Sequence, residues 1–165
     1  GGNSGNPIFD WFIGRELNPR IGEFDIKTFN ELRPGLILWA LLDISCVCHQ
    51  YTKFGWVSDS IVLVTLFHVW YIVDSLINES TILTQMDITT DGFGFMLSVG
   101  DLAWLPFTYC LKARFLAFHP IHLGWLGVLA ILAVQFTGYY IFRVANLEKN
   151  EFRHGRNPKG TYTVR

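Results

Sequence analysis

Long apolar segments alternate with shorter polar ones along most of this chain. Residues 34–52, 57–77 and 121–142 are predominantly apolar, and the last of these segments contains no charged side chain. At about 1.5 Å per residue, helices of this length match the hydrocarbon core of a bilayer, which is about 30 Å thick. The pattern therefore predicts three membrane-spanning helices.

A fourth apolar segment, residues 93–111, is less regular. Gly94, Gly100 and Pro106 interrupt it, and Asp101 places a charge within it. Because glycine and proline weaken a helix, we expect a kinked or broken span here. The sequence thus predicts an all-α, polytopic helical membrane protein. Since the chain begins without methionine, we expect a fragment with about four transmembrane helices of a larger bundle.

The charged residues divide the chain into three parts. A polar, turn-rich membrane-surface segment (1–35) precedes the transmembrane block (36–142), and a basic tail (143–165) follows it. Ten of the 13 basic residues flank the block, four before it and six after it. The positive-inside rule then predicts that both ends are cytoplasmic.

Composition excludes several classes of protein. Half of the residues are hydrophobic and only 16% are charged, against about 25% charged in soluble domains. With 13 basic and 14 acidic residues, the chain has no excess of positive charge, so we expect no nucleic-acid partner. Neither the cysteines nor the histidines have the spacing of metal ligands, and no metal site is predicted.

An acidic stretch is the first candidate for chemistry. From Phe54 to Leu111 the chain contains six acidic residues and no basic one. A carboxyl group in or near hydrocarbon tends to keep its proton, because burial penalises the charged form. Tyr71, Asp74, Ser75 and Asn78 lie at positions i, i+3, i+4 and i+7 and so follow one helical face. This stripe could donate protons, or it could serve only to hold helices together by hydrogen bonds.

The basic tail is the second candidate. If the helix of residues 121–142 continues, Asn146, Lys149 and Arg153 share one face that could bind phosphates. A phosphate-bearing cofactor could lie there. The alternative is that these cations only follow a span, where they set its orientation and attract anionic lipids.

Several segments of the chain carry a family resemblance. Residues 5–22 include the pattern Gly-x-x-x-Asn-Pro-Arg, and residues 86–96, 100–109 and 146–153 match the same family in the same order. The chain is similar to the sterol reductases of the C14, C7 and C24(28) group and to the lamin B receptor. The Arg15–Glu16 pair and the Arg33-Pro34-Gly35 turn make it most similar to the C14 branch.

The resemblance implies a multi-pass protein of the endoplasmic reticulum membrane or nuclear envelope, with about ten helices, membrane lipid around it and a sterol substrate. It also implies NADPH as the cofactor. An isolated C14=C15 alkene does not accept hydride directly, so C15 is expected to be protonated before NADPH reduces the cation at C14. The expected catalytic residues are Tyr71, Asp74, Glu79 and Asp87. The expected substrate-lining residues are Trp70, Asp101 and Trp104. The expected cofactor-binding residues are Arg143, Asn146, Lys149 and Arg153.

Two departures and two alternatives accompany this hypothesis. The chain stops short of the helices that complete the family's cofactor pocket, so we expect it to be inactive alone. Leu147 and Glu148 replace the family's usual Ser-Gln, and an acid beside Lys149 would weaken phosphate binding. The alternatives are a non-catalytic, sterol-binding scaffold of the lamin B receptor type, and another reductase of the family, acting at C7 or C24(28).

Overall fold

The computed structural model describes residues 3–156, which are predominantly helical. Two units, residues 1–122 and residues 123–165, are described separately. Within the described residues, three helical segments are long and apolar enough to cross a membrane: Ile26–Phe54, Asp59–Ile77 and Gly124–Arg153. The predicted all-α, helical membrane fold is therefore confirmed.

The segment predicted to lie at the membrane surface forms two short helices and a hairpin. Helix α1 (Pro7–Ile13) begins after Asn6, whose side-chain oxygen accepts two backbone N–H groups. Strands β1 (Arg20–Ile21) and β2 (Phe24–Asp25) pair antiparallel. Asp25 then caps α2 (Ile26–Leu32) by accepting the N–H of Thr28 at 2.9 Å. Such caps satisfy N–H groups that have no partner inside the helix.

Two long helices follow. Helix α3 (Pro34–Phe54) ends at Gly55, whose φ of 76° lies in the left-handed region that favours glycine. Helix α4 is Asp59–Ile77. Two single-turn helices come next, α5 (Glu79–Ile82) and α6 (Met86–Thr89).

The segment predicted to be a kinked or broken span is interrupted. It consists of α7 (Phe95–Val99), a π-helical turn (Gly100–Trp104) and α8 (Leu105–Phe118). The start of α3 approaches this turn so closely that a Cβ at Gly35 would overlap the carbonyl of Asp101. Whether this segment crosses the membrane stays a prediction, as does the total of four spans.

The core of the first unit lies where α3 packs against α4 and α8. Leu36 and Trp39 of α3 contact Ile72 of α4 and Cys110 of α8, and all four are buried. Much of the outer surface of α3 is apolar and exposed, as expected for helices that face lipid. Residues buried in this core are therefore enclosed by three helices.

The described part of the second unit is one helix, α9 (Gly124–Arg153), which is 30 residues long. It begins within three residues of the predicted span start and continues 11 residues beyond its predicted end, through the basic residues. The predicted helical continuation past residue 142 is thus present in the structure. Residues 157–165 of the predicted tail lie outside the described residues.

Candidate functional site

A cluster of polar side chains lies inside the three-helix core, and we call Trp39, Asp43 and His68 the core polar cluster. Asp43 is 0% exposed, and Trp39 and His68 are also buried. His68 Nδ1 lies 2.5 Å from Asp43 Oδ2, and the indole N–H of Trp39 donates to the same nitrogen at 3.2 Å. Asp43 Oδ1 is buried without a hydrogen bond to any described residue. Burying such groups is costly, so their presence in a membrane core indicates function more often than in a soluble core.

Tyr71 lies directly beside this cluster. Its ring centroid is 5.9 Å from that of Trp39. The ring centroid of Tyr109, on α8, is 4.9 Å from that of Trp39. Tyr71 is 48% exposed. One predicted catalytic residue is therefore held against the buried core while part of its surface is open.

Asp74 lies one turn further along α4. The side-chain amide of Asn78 donates to its Oδ1 and to its backbone carbonyl, both at 3.0 Å. Ser75 donates to the backbone carbonyl of Tyr71 at 2.8 Å. The predicted polar stripe on this face is thus linked by hydrogen bonds within its own helix.

Glu79 has a cationic partner that sequence analysis did not supply. Its two carboxylate oxygens accept from the two terminal nitrogens of Arg33, at 3.0 and 3.4 Å. Both side chains are about one-third exposed. The argument that an acid without a cation keeps its proton therefore does not apply to Glu79. This arrangement suits an ion pair that joins the start of α5 to the end of α2.

A second buried polar group surrounds Lys27 of α2. The Lys27 side chain is fully buried, and its ammonium donates to the carbonyls of Ile88 and Asp91, at 3.1 and 2.5 Å. Asp87 and Asp101, two predicted site residues, interact electrostatically with Lys27. The structure thus brings Asp87 and Asp101 into one neighbourhood, with Asp87 exposed at its edge.

Within that neighbourhood, two acids each bury an oxygen atom. Glu31 Oε2 and Asp101 Oδ2 accept no hydrogen bond from the described residues. Their charges interact with each other as well as with Lys27. We call Lys27, Glu31, Asp87 and Asp101 the Lys27 cluster.

The predicted substrate-lining tryptophans are exposed. Trp70 on α4 is 54% exposed and Trp104 in the π-helical turn is 66% exposed. Exposed indoles of this kind can line a surface that binds a flat apolar ligand, or they can lie at the boundary between lipid and water.

The four predicted cofactor-binding residues all lie on α9. Asn146 donates to the backbone carbonyl of Phe142 at 2.8 Å, and Lys149 is exposed. Arg143, Asn146, Lys149 and Arg153 are separated by three, three and four residues, so they follow one side of the helix. Two guanidinium groups, one ammonium and one amide suit the oxygen atoms of phosphates.

The N-terminal segment contains an open cavity of about 590 Å³, lined partly by Asp10, Trp11 and Arg15. Asp10 accepts from the N–H and hydroxyl of Ser4, at 2.8 and 2.7 Å. These hydrogen bonds, and then the charge of Arg15, lower the pKa of Asp10. The bonds fix residues 3–6 onto α1. None of the predicted catalytic residues lines this cavity.

Sequence reasoning did not assign a role to Asp43, His68 or Lys27. A usable signal existed for the first two. Trp39 and Asp43 are four residues apart, and His68 and Tyr71 are three apart, so each pair shares a face of its helix. For Lys27 there was none, because its partners are backbone carbonyls more than 60 residues away.

The fold and these clusters define a class: a polytopic, helical membrane protein with polar and titratable side chains enclosed among its helices. Comparison with known families makes this specific. The model of the ergosterol biosynthesis ERG4/ERG24 family matches residues 1–164, and the chain belongs to that family.

Several curated relatives of the chain are described as Delta(14)-sterol reductases. The chain is 66% identical to the Delta(14)-sterol reductase erg24 of Schizosaccharomyces pombe over 95% of its length, and 61% identical to the Delta(14)-sterol reductase of Ascobolus immersus over 92%. It is 56% identical to the Delta(14)-sterol reductase ERG24 of Saccharomyces cerevisiae over 100%. The chain covers 36–38% of the length of these relatives.

Proposed function

We propose that the protein containing this chain is a Delta14-sterol reductase, which saturates the C14=C15 double bond of a sterol intermediate. The observation that carries this proposal is the 56–66% identity to several proteins described as Delta(14)-sterol reductases, spread over nearly the whole chain. The similarity does not depend on one motif. The endoplasmic reticulum membrane is the proposed location, with a sterol and membrane lipid as the partners.

Tyr71 and Asp74 are the proposed source of the proton for C15. Tyr71 combines an O–H donor with partial exposure beside the buried core, and Asp74 follows it on the same face of α4. After the phenol has protonated C15, a neighbouring carboxylic acid would return a proton to the phenolate, and the carboxylate that results would stabilise the cation at C14. Glu79 and Asp87 remain in the proposed catalytic set, with a supporting electrostatic role, because Glu79 is paired with Arg33 and Asp87 is exposed.

The substrate surface is proposed to include Trp70, Trp104 and Asp101. A sterol nucleus is flat and apolar, so exposed indole rings offer it contact area, and their π faces favour a passing cation. Asp101 adds a carboxyl group within the π-helical turn. Interruptions of this kind occur often at functional sites.

NADPH is the proposed cofactor, and the residues of α9 fit its phosphates. Arg143, Asn146, Lys149 and Arg153 would donate charge-assisted hydrogen bonds to phosphate oxygens. When bound, NADPH supplies hydride. The protein's own residues would orient the cofactor and exclude water from the sterol cation. Glu148 lies between Asn146 and Lys149 in the sequence, and its negative charge would repel phosphate. The phosphates must therefore bind on the side of α9 that faces away from Glu148.

The test is complementation of a strain that lacks sterol C14 reduction with the full-length protein, followed by sterol analysis. We expect Delta14 sterols to disappear and C14-saturated sterols to replace them. Persistence of the Delta14 sterols at normal protein levels would contradict the proposal and favour a sterol-binding scaffold. Reduction at C7 or C24(28) instead would assign the protein to another branch of the family. The 165-residue chain alone is expected to bind NADPH poorly, since its relatives are far longer.

A further inference from the structure

The core polar cluster has no part in the mechanism outlined above, yet it occupies the centre of the three-helix core. Asp43 and His68 lie on different helices, 25 residues apart in sequence. A buried ionisable pair adds little net stability compared with apolar residues of similar size. Hydrogen bonds between membrane helices also contribute modestly on average. Stability alone therefore gives a weak reason for these residues at this position.

Two contacts of the cluster meet at one atom, His68 Nδ1. The indole nitrogen of Trp39 lies 3.2 Å from it, and Asp43 Oδ2 lies 2.5 Å from it. The two contacts together fix the plane of the imidazole and the orientation of the indole.

The oriented indole contacts Tyr71. The Trp39 ring lies 4.5 Å from the His68 ring and 5.9 Å from the Tyr71 ring, with interplanar angles of 52° and 51°. His68 and Tyr71 are three residues apart on α4, so the same stretch of helix supports both. A change in the angle of the indole would therefore move the surface against which the phenol packs.

We infer that Asp43, His68 and Trp39 are positioning residues that set the orientation of the Tyr71 phenol through hydrogen bonds converging on His68 Nδ1. This inference rests on the proposed function, in which Tyr71 donates the proton to the sterol. The cluster itself does not touch the substrate in this scheme. Its effect is on the rate of the chemical step, because small displacements of a catalytic group are costly.

The experiment compares Asp43→Leu and Asp43→Asn in the full-length protein, expressed in the strain without C14 reduction and assayed in membranes. Leucine removes the polar contact to Nδ1, whereas the asparagine amide carries both an oxygen and an N–H group and can keep this contact. We expect Asp43→Leu to lower kcat roughly 10- to 100-fold, with the KM for sterol and the KM for NADPH nearly unchanged. We expect Asp43→Asn to keep kcat close to that of the wild type.

Two further variants complete the experiment, one as a second test of the cluster and one as a control for folding. Trp39→Phe keeps an aromatic ring but removes the N–H, so kcat should fall in this variant even if Asp43→Leu does not accumulate. Gln50→Leu is the matched control: Gln50 is fully buried on the same helix but bonds the carbonyl of Leu116 and the N–H of Ser58. This control should lower thermal stability without lowering kcat per folded enzyme.

The inference is overturned if Asp43→Leu or Trp39→Phe retains wild-type kcat, or if Asp43→Asn is as impaired as Asp43→Leu. It is also overturned if all the losses follow the amount of folded protein, as the control would show. Failure of the proposed function looks different, because the wild-type protein itself would then leave the Delta14 sterols unreduced.

Discussion

Arg33 and Glu79 form a two-point ion pair across 46 residues of sequence, with Nη2–Oε2 and Nη1–Oε1 distances of 3.0 and 3.4 Å. The pair joins the junction between α2 and α3 to the start of α5, directly after α4. It therefore connects the two helices that carry the core polar cluster and Tyr71. Because both side chains are partly exposed, water and salt screen the attraction.

Removing this pair should lower stability slightly and, because the proposed role of Glu79 is only supporting, should lower turnover only modestly. Glu79→Gln is expected to lower the free energy of unfolding by about 0.2–1 kcal/mol, the usual range for exposed pairs. Thermal unfolding of the full-length protein in detergent measures the change. The exchanged variant Arg33→Glu with Glu79→Arg should recover most of it. A large loss of kcat at unchanged stability would instead give Glu79 a direct role in proton transfer.

Lys27 should be far more important for folding than an exposed lysine. Lys27→Met leaves the carbonyls of Ile88 and Asp91 without their donor and removes a cation that interacts with Glu31 and Asp101. We expect the free energy of unfolding to fall by about 2–4 kcal/mol. Lys53→Met is the matched control, since Lys53 is exposed and its ammonium lies over the rings of Phe54 and Phe118. Its expected change is under about 1 kcal/mol. Equal losses in the two variants would contradict the structural role of Lys27.

Hydropathy predicted the long helices well, because in a membrane helix the apolar segment has almost the same bounds as the helix. The span predicted at residues 34–52 corresponds to α3, Pro34–Phe54, and the span predicted at residues 57–77 corresponds to α4, Asp59–Ile77. At the end of α9 hydropathy stops marking the helix, since helix-forming polar residues continue it to Arg153. The N-terminal helices were missed for a related reason: they are only seven residues long.

The candidate site was less accessible from sequence than the helices. Helical spacing correctly grouped Tyr71 with its neighbours on α4, since that grouping is local. The pairs that organise the surroundings of the site, such as Asp43 with His68 and Arg33 with Glu79, join distant segments. A single sequence carries no direct information about such contacts. Glu79 therefore looked like an acid without a cation, and no partner was predicted for Asp43.

The N-terminal segment around α1 should lose local stability at acidic pH. The folded state holds the pKa of Asp10 below its ordinary value, mainly through the hydrogen bonds from Ser4. Because the carboxyl group has a lower pKa in the folded state, its ionisation stabilises the fold at pH values above the unfolded-state pKa of about 3.9. This stabilisation is lost as the pH falls through the folded-state pKa. We expect the protection of the α1 amides, measured relative to the intrinsic exchange rate at each pH, to fall between about pH 5 and about pH 3.

Asp10→Asn is the control for this acid effect. Asparagine cannot titrate, so the variant should exchange faster at both pH values and show a smaller difference between them. Ser4→Ala removes only the hydroxyl donor and should lie between the variant and the wild type. An identical pH response in the wild type and Asp10→Asn would show that another group controls the segment.

The basic face of α9 should determine the requirement for NADPH. Lys149→Ala or Arg153→Ala removes one charge-assisted donor, and we expect the KM for NADPH to rise roughly 10-fold or more while kcat changes little. Arg156→Ala is the matched control, because Arg156 is paired with Glu151 at 3.3 Å. An unchanged KM for NADPH in both test variants would remove Lys149 and Arg153 from the cofactor site.

Asp74→Asn should separate turnover from binding. The substitution keeps the size of the side chain and an oxygen that can accept from Asn78, but it removes the titratable carboxyl group. If this group supports proton delivery to the sterol, kcat should fall roughly 10²- to 10⁴-fold, with the KM for NADPH unchanged. Asp59→Asn, at the other end of α4, is the same substitution away from Tyr71 and should keep its activity. Wild-type kcat in Asp74→Asn would refute a role for Asp74 in protonation and leave the phenol of Tyr71 to be tested by Tyr71→Phe.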